Sequence, residues 1–249
     1  APVLWRDLRR FTTARVGLGR AGNALPTAAH LDFQEAHARA RDAVWSALDV
    51  AALAAALGPD MLAVSSEATD RRTYLLRPDL GRRLAEPDRT TLQASARPGC
   101  FALVVADGLC PSGIQDHAAA VLAPVIEGLR AAHWEMAPTV IATQARVALG
   151  DDIGEALGAA ASAVLIGERP GLSASDSIGI YLTWAPRRGR SDAERNCISN
   201  IRPAGLSPTE AARKLLWLVA AARRLGATGV ALKDEEPAAL PTPARPPLG

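Results

Sequence analysis

Three cysteines (Cys100, Cys110, Cys197) and four histidines (His30, His37, His117, His133) are the side chains best suited to act as nucleophiles, bases or metal ligands. The cysteines form no CxxC pair and are odd in number, so a disulfide framework is not expected and a reducing cytoplasm is. His30 and His37 lie seven apart on one expected helix, and two turns separate them by roughly 10 Å, too far to share a metal ion. There is no HExxH set, and no metal ligand is assigned. No serine sits in a GxSxG elbow and no histidine lies near Cys197 in sequence, so no catalytic residue is assigned either. Gly17-x-Gly19-x-x-Gly22 matches the dinucleotide fingerprint as a string, but that motif must follow a strand and open directly into a helix. Arg-rich, helix-like sequence precedes it, and Pro26 disfavours helix through Leu25. The glycines read as a turn.

The elements around these residues follow from apolar periodicity. From Leu4 to about Ala96 the chain reads as helices, the clearest over Thr27–Leu48. There Leu31, Ala36, Ala40, Val44 and Leu48 share one face, with Thr27 as the expected N-cap. From Cys100 to about Asp234 short apolar runs alternate with helical stretches. Strands are predicted at 101–107, 138–144, 161–167, 177–185 and 228–233. Helices are predicted over His117–Ala132, with Pro124 as a kink or true start, over Asp151–Leu157, and over Ser207–Leu225. The last opens on a Ser207–Glu210 capping box with Pro208 and is followed by Gly226. This alternation predicts an α/β fold: a Rossmann-like, mostly parallel sheet domain (97–236) preceded by a smaller helical domain (1–96). A Pro-rich tail (237–249) is predicted to be disordered.

With 28 basic and 26 acidic residues the net charge is +2, which argues against a dedicated nucleic-acid partner. Arginines near the N-terminus lack the neighbouring aromatics that stack on bases and suit a protein partner better. No apolar run approaches the roughly 20 residues that span a bilayer, and Ala1–Arg20 lacks the apolar core of a signal peptide.

In open parallel sheets ligands bind beyond the strands' carboxyl ends. Here those ends carry Asp107-Gly108, Gln144-Ala145-Arg146-Val147, Gly167-Glu168-Arg169 and Thr183-Trp184, followed by a polar, turn-rich stretch over 194–203. The set offers acceptors, guanidinium donors and backbone amides without a nucleophile–base pair. It suits holding a large polar ligand.

At these residues the chain resembles the small (light) subunit family of ethanolamine ammonia-lyase. The matching blocks include LRRFTTARVGLGRAGNALPT (8–27), DRRTYLLRPDLGRRL (70–84), RVALGDDIGEALGA (146–159), VLIGERPGLSASDSIGIYLTWAPR (164–187) and RNCISNIRP (195–203). The resemblance implies a helical part followed by a Rossmann-like domain, a large catalytic subunit as partner, and adenosylcobalamin as a cofactor shared between the two. It places cobalamin contacts at Val147, Glu168 and Cys197, with Arg146 beside them. A DxHxxG cobalt-ligand motif is absent, since Asp116 and His117 are adjacent, and in the family the cofactor's own benzimidazole stays on cobalt. The implied chemistry is radical conversion of ethanolamine to acetaldehyde and ammonia by the two-subunit enzyme. The implied location is cytoplasmic, with a bacterial microcompartment as the alternative. Two rival expectations are a stand-alone nucleotide-binding α/β enzyme using the Gly17–Gly22 turn and a purely structural partner subunit.

Overall fold

A computed structural model describes residues 7–12 and 14–235; the Pro-rich tail at 237–249 lies outside the described residues. The elements are α1 (Thr27–Trp45), α2 (Val50–Leu57), β1 (Met61–Ser65), α3 (Arg71–Leu76), α4 (Glu86–Ala94), β2 (Phe101–Ala106), α5 (Pro111–Ala131), β3 (Thr139–Thr143), α6 (Leu149–Leu157), β4 (Ala161–Gly167), β5 (Ile178–Trp184), β6 (Arg195–Ile201) and α7 (Pro208–Leu225). They form one six-stranded sheet in the order β1-β3-β2-β4-β5-β6. β1, β3, β2 and β4 run parallel, and β5 and β6 return antiparallel. The α/β class with a mostly parallel sheet is therefore as expected.

Alternation along β2 sorts the core into two layers. Phe101, Leu103 and Val105 join Ile114, Val121, Leu122 and Leu129 of α5 and Leu215 and Leu218 of α7 on one face. Ala102, Val104 and Ala106 meet Leu92 of α4 and Leu149, Ile153 and Leu157 of α6 on the other. Both faces are covered, which is why β2 and β4 read as continuous apolar runs. The predicted capping box of α7 is present, and Gly226 ends the helix in the left-handed conformation. Pro124 lies inside α5, which starts earlier than predicted: Pro111 is its first residue and the Cys110 sulfur accepts the Gly113 N–H.

Several expectations are corrected. The stretch before residue 97 is not wholly helical, because β1 pairs with β3 at the sheet edge. Residues 195–201, read as polar turn, form β6. Its buried positions are Arg195, Ile198 and Ile201, and a register shift opposite Ile178/Ile180 breaks the period of two that marks a strand. Residues 228–233 are not a strand but hold a 3-10 turn (Gly229–Ala231). Gly229 has φ 74°, and a Cβ there would sit 2.0 Å from the Ala193 carbonyl oxygen, which no strand residue could accommodate. Thr27 is the first residue of α1, not its cap; Pro26 holds the cap position without a side-chain bond. The apolar stripe of α1 is also largely uncovered within this chain. Ala43 is its one buried residue, while Leu31, Phe33 and Trp45 are exposed. The Gly17–Gly22 string lies outside any helix or strand, and among the described residues no strand leads into it.

Ion pairs lock α6 to its surroundings. Arg195 and Asp151, with side chains 2% and 3% exposed, pair directly. Asp152 accepts from the Leu84 N–H at 3.1 Å, Arg89 at 3.0 Å and Arg188 at 2.8 Å. Arg195→Ala leaves a buried carboxylate without its cation and should lower the unfolding free energy by about 3–5 kcal/mol in urea at pH 7; a loss below about 1 kcal/mol would show that desolvation cancels the pair. Burial pushes the Asp152 carboxyl up, but Arg188, the Leu84 amide and Arg89 outweigh it and hold the group below its ordinary value. The resulting stability is present above the unfolded carboxylate's pKa of about 3.9 and is lost as pH falls through the depressed folded value. In Asp152→Asn the acid limb of the stability–pH curve should flatten below about pH 4.

Candidate functional site

After β2 the chain turns into α5 and returns to β3 on one side of β2; it then crosses to β4 on the other side. The carboxyl ends of β2 and β4 therefore flank the point where strand order reverses, the usual ligand crevice of such sheets. Two glycines let these ends approach. Gly108 has φ 57°, and a Cβ there would lie 2.2 Å from the Gly167 oxygen; one on Gly167 would meet the Cys110 oxygen at 2.3 Å. The Leu109 N–H donates to the Gly167 carbonyl at 2.9 Å.

Asp107 organises the β3 exit. Its buried carboxylate accepts the N–H groups of Gln144 and Ala145 at 2.8 and 2.9 Å, and Arg71 approaches at 3.5 Å. Burial pushes this carboxyl up, against the pull of the two amides and the guanidinium. Asp107 thereby fixes the short loop that carries Arg146 and Val147 into α6.

A cavity of about 140 Å³ opens at this edge. Tyr74, Arg146, Val147, Gly167, Glu168 and Tyr181 are among the residues lining it. Val147 and Glu168 are thus brought together. Val147 is half-buried and packs on the α6-side core. The Glu168 carboxylate accepts the Asn200 N–H, with its two oxygens at 3.3 and 3.2 Å. It lies close over Gly179, where a Cβ would meet Oε1 at 3.0 Å. Asn200 sits in the irregular end of β6 with φ 59°, which frees its N–H for this bond. The loop from Glu168 to β5 is pinned twice: the Cys110 thiol donates to the Ser175 carbonyl at 3.1 Å, and His117 Nε2 lies 3.2 Å from Asp176.

Cys197 does not line the cavity. It is exposed and faces Tyr181 across the β5–β6 pair, so it is one side chain removed from the others. Although the residue as a whole is exposed, partial desolvation of its sulfur beside the sheet pushes the thiol up, with the Tyr181 hydroxyl opposing. Tyr181 is itself pushed up, by burial first and then by Cys197 and Glu168. Sequence reasoning missed Tyr74, Arg71 and Tyr181. Tyr181 could have been found from strand register, but nothing in the local pattern marks Tyr74 or Arg71. Thr183-Trp184, grouped with the strand ends, lies at the opposite edge because β5 runs antiparallel, with Trp184 paired to Ala161 at the start of β4.

Among the described residues no group of three or more His, Cys, Asp or Glu side chains is placed to hold a metal ion. No described helix is long and apolar enough to cross a membrane. The cavity is a glycine-lined edge of mixed character, with the Glu168 carboxylate and the Arg146 and Arg169 side chains among apolar neighbours and the Cys197 thiol beyond Tyr181.

A family model described as "Ethanolamine ammonia-lyase light chain (EutC)" matches residues 3–233. Curated relatives named ethanolamine ammonia-lyase small subunit include one from Ralstonia nicotianae, 53% identical over 92% of this chain and 88% of the relative. One from Azotobacter vinelandii is 54% identical over 93% and 88%. One from Rhodopseudomonas palustris is 54% identical over 96% and 94%. With the match running through the cavity residues and nearly end to end, the chain belongs to the ethanolamine ammonia-lyase light chain family.

Proposed function

We propose that this chain is the small subunit of an adenosylcobalamin-dependent ethanolamine ammonia-lyase, inactive alone, covering one side of the cobalamin at its interface with a large catalytic subunit. The observation that carries this reading is the shared cavity of Val147 and Glu168 at the reversal point of the sheet. Its size sets a limit. About 140 Å³ is well below the roughly 300–1,000 Å³ that encloses a drug-sized ligand. A cavity of this size suits part of a corrin, which agrees with a partner subunit holding the rest.

The chemistry of the edge fits such a group. A corrin presents amide donors and acceptors around an apolar plate, and the edge offers both kinds of partner. Arg146, which lines the cavity, has a buried Nε without a hydrogen-bond partner, and behind it Arg71 Nη2 and Gln144 Oε1 are likewise buried and unpartnered. Glu168, fixed by the Asn200 N–H, retains lone pairs for amide N–H groups, each charge-assisted bond contributing about 1.5–3 kcal/mol. Val147 offers backbone polar groups and a small apolar surface. Cys197 is a soft packing contact beside Tyr181, its raised thiol keeping it neutral. When bound, adenosylcobalamin supplies a carbon-centred radical that abstracts hydrogen from the amino alcohol. This chain's residues orient the ring and exclude water from one side.

The uncovered stripe of α1, with Leu31, Phe33 and Trp45, suits burial against a partner subunit. The reading keeps a Rossmann-like domain over 97–236 and a mainly helical part over 1–96, the latter lending β1 to the sheet. A cytoplasmic location, alone or in a microcompartment, belongs to the same proposal.

Mixing the chain with the large subunit and adenosylcobalamin should give ethanolamine-dependent acetaldehyde release that neither chain gives alone. Full activity and cofactor affinity in the large subunit by itself would reduce this chain to a structural partner. Glu168→Ala should weaken cobalamin binding at least about tenfold while the chain still folds and assembles with its partner. Unaltered affinity in a titration of the assembled enzyme would remove Glu168 from the site.

A further inference from the structure

Residues 70–84 match the family as a block, yet the cavity reading leaves most of them without a role. They fold as α3 and a 3-10 turn (Leu80–Arg82) and pack directly against the exit of β3. The Arg146 N–H donates to the Gly81 carbonyl at 2.8 Å. A Cβ on Gly81 would come within 3.0 Å of both the Arg146 and the Tyr74 side chains, so nothing larger than glycine fits between them without movement.

Tyr74 is fully buried, and its hydroxyl donates to the Ala145 carbonyl at 3.1 Å. Two guanidinium groups stack on its ring: Arg146 at 4.2 Å and Arg71 at 4.7 Å from the centroid. Arg146 also donates to the Tyr74 carbonyl at 3.2 Å. Arg71 in turn donates to the carbonyls of Gly108 at 2.8 Å and Val44 at 2.7 Å. One aromatic ring thus connects the turn after β2 to the loop after β3.

That loop is held in an unfavourable conformation. Gln144 has φ 53°, a region L-residues rarely occupy, and its side-chain oxygen is buried without a partner. Arg71 Nη2 and Arg146 Nε are likewise unpartnered. Strain and unspent polar atoms persist when surrounding contacts over-determine the geometry, and they concentrate at functional sites. Core packing alone would be served by an apolar ring, with no hydroxyl and no stacked cations.

We propose that Tyr74 is a positioning residue: bonded to the Ala145 carbonyl and stacked with Arg146 and Arg71, it sets the loop after β3 so that Arg146 meets the cobalamin. Tyr74 touches no reacting atom and acts through Arg146. The inference rests on the reading of the cavity as a cobalamin edge.

The test uses the assembled two-subunit enzyme, with cyanocobalamin affinity measured by equilibrium dialysis and folding checked by thermal melting. The variants are Tyr74→Phe, Tyr74→Leu, Arg146→Ala, the double variant Tyr74→Leu/Arg146→Ala, and Glu168→Ala. Tyr74→Phe keeps the stacked ring and should weaken binding about threefold; Tyr74→Leu should weaken it about tenfold. The double variant should bind no more weakly than the weaker single variant, because both changes remove one pathway. In Tyr74→Phe, kcat at saturating adenosylcobalamin should stay within about twofold of the parent while the cofactor KM rises. Wild-type affinity in both Tyr74 variants, with Glu168→Ala weakened, would overturn the role of Tyr74 and leave the site intact. Losses that multiply in the double variant would overturn it as well. Wild-type affinity in every variant, Glu168→Ala included, would overturn the site itself. If Tyr74→Leu fails to assemble, Tyr74→Phe decides: unchanged affinity refutes the role.

Discussion

The buried carboxylate of Asp107 is the contact on which the strand-end edge depends. It stands at the end of β2 and accepts two successive amides from the loop leaving β3, with Arg71 opposite. An interior carboxylate is costly unless its lone pairs are filled, and here backbone N–H groups fill them. The geometry is therefore demanding. The β3 exit must present Gln144 and Ala145 together, which draws Gln144 into a left-handed conformation and brings Arg146 over Tyr74. Gly108 and Gly167 then let the β2 and β4 ends close around the same point. The location of Val147 and Glu168 follows from this arrangement.

The same logic explains what the sequence disclosed. β2 and β4 are buried on both faces and wrote themselves as apolar runs, and α7 announced its start and end through Ser207, Glu210 and Gly226. β1 is an edge strand with Val64 as its one buried residue, too weak a signal beside Ala-rich helices. β6 was hidden because its irregular register removes alternation. TGVALK looked like a strand because composition cannot reveal that Gly229 needs a positive φ.

The site divides along similar lines. Val147 and Glu168 follow strands directly, so the rule that ligands sit at carboxyl ends reaches them. Cys197 lies near the edge only through the antiparallel pairing with Tyr181, which is a matter of register. Tyr74 reaches Ala145 across 71 residues of chain, and no spacing rule links two such segments. The Thr183-Trp184 pair shows the converse: a strand end in sequence falls at the far edge once the strand direction reverses.

Both outer strands are covered near their ends. Beside β1, the Ala85 N–H donates to Ser65 O and the Glu67 N–H to Arg83 O, while Asp88 accepts from the Ser65 N–H. Beside β6, Asn196 exchanges bonds with Leu232 and Gly229 near one end, and the Leu206 N–H donates to Asn200 O near the other. Free backbone edges invite strand addition by any passing peptide. At these strand ends the main-chain groups are already spent, so a peptide adding to the sheet would meet a shortened ladder.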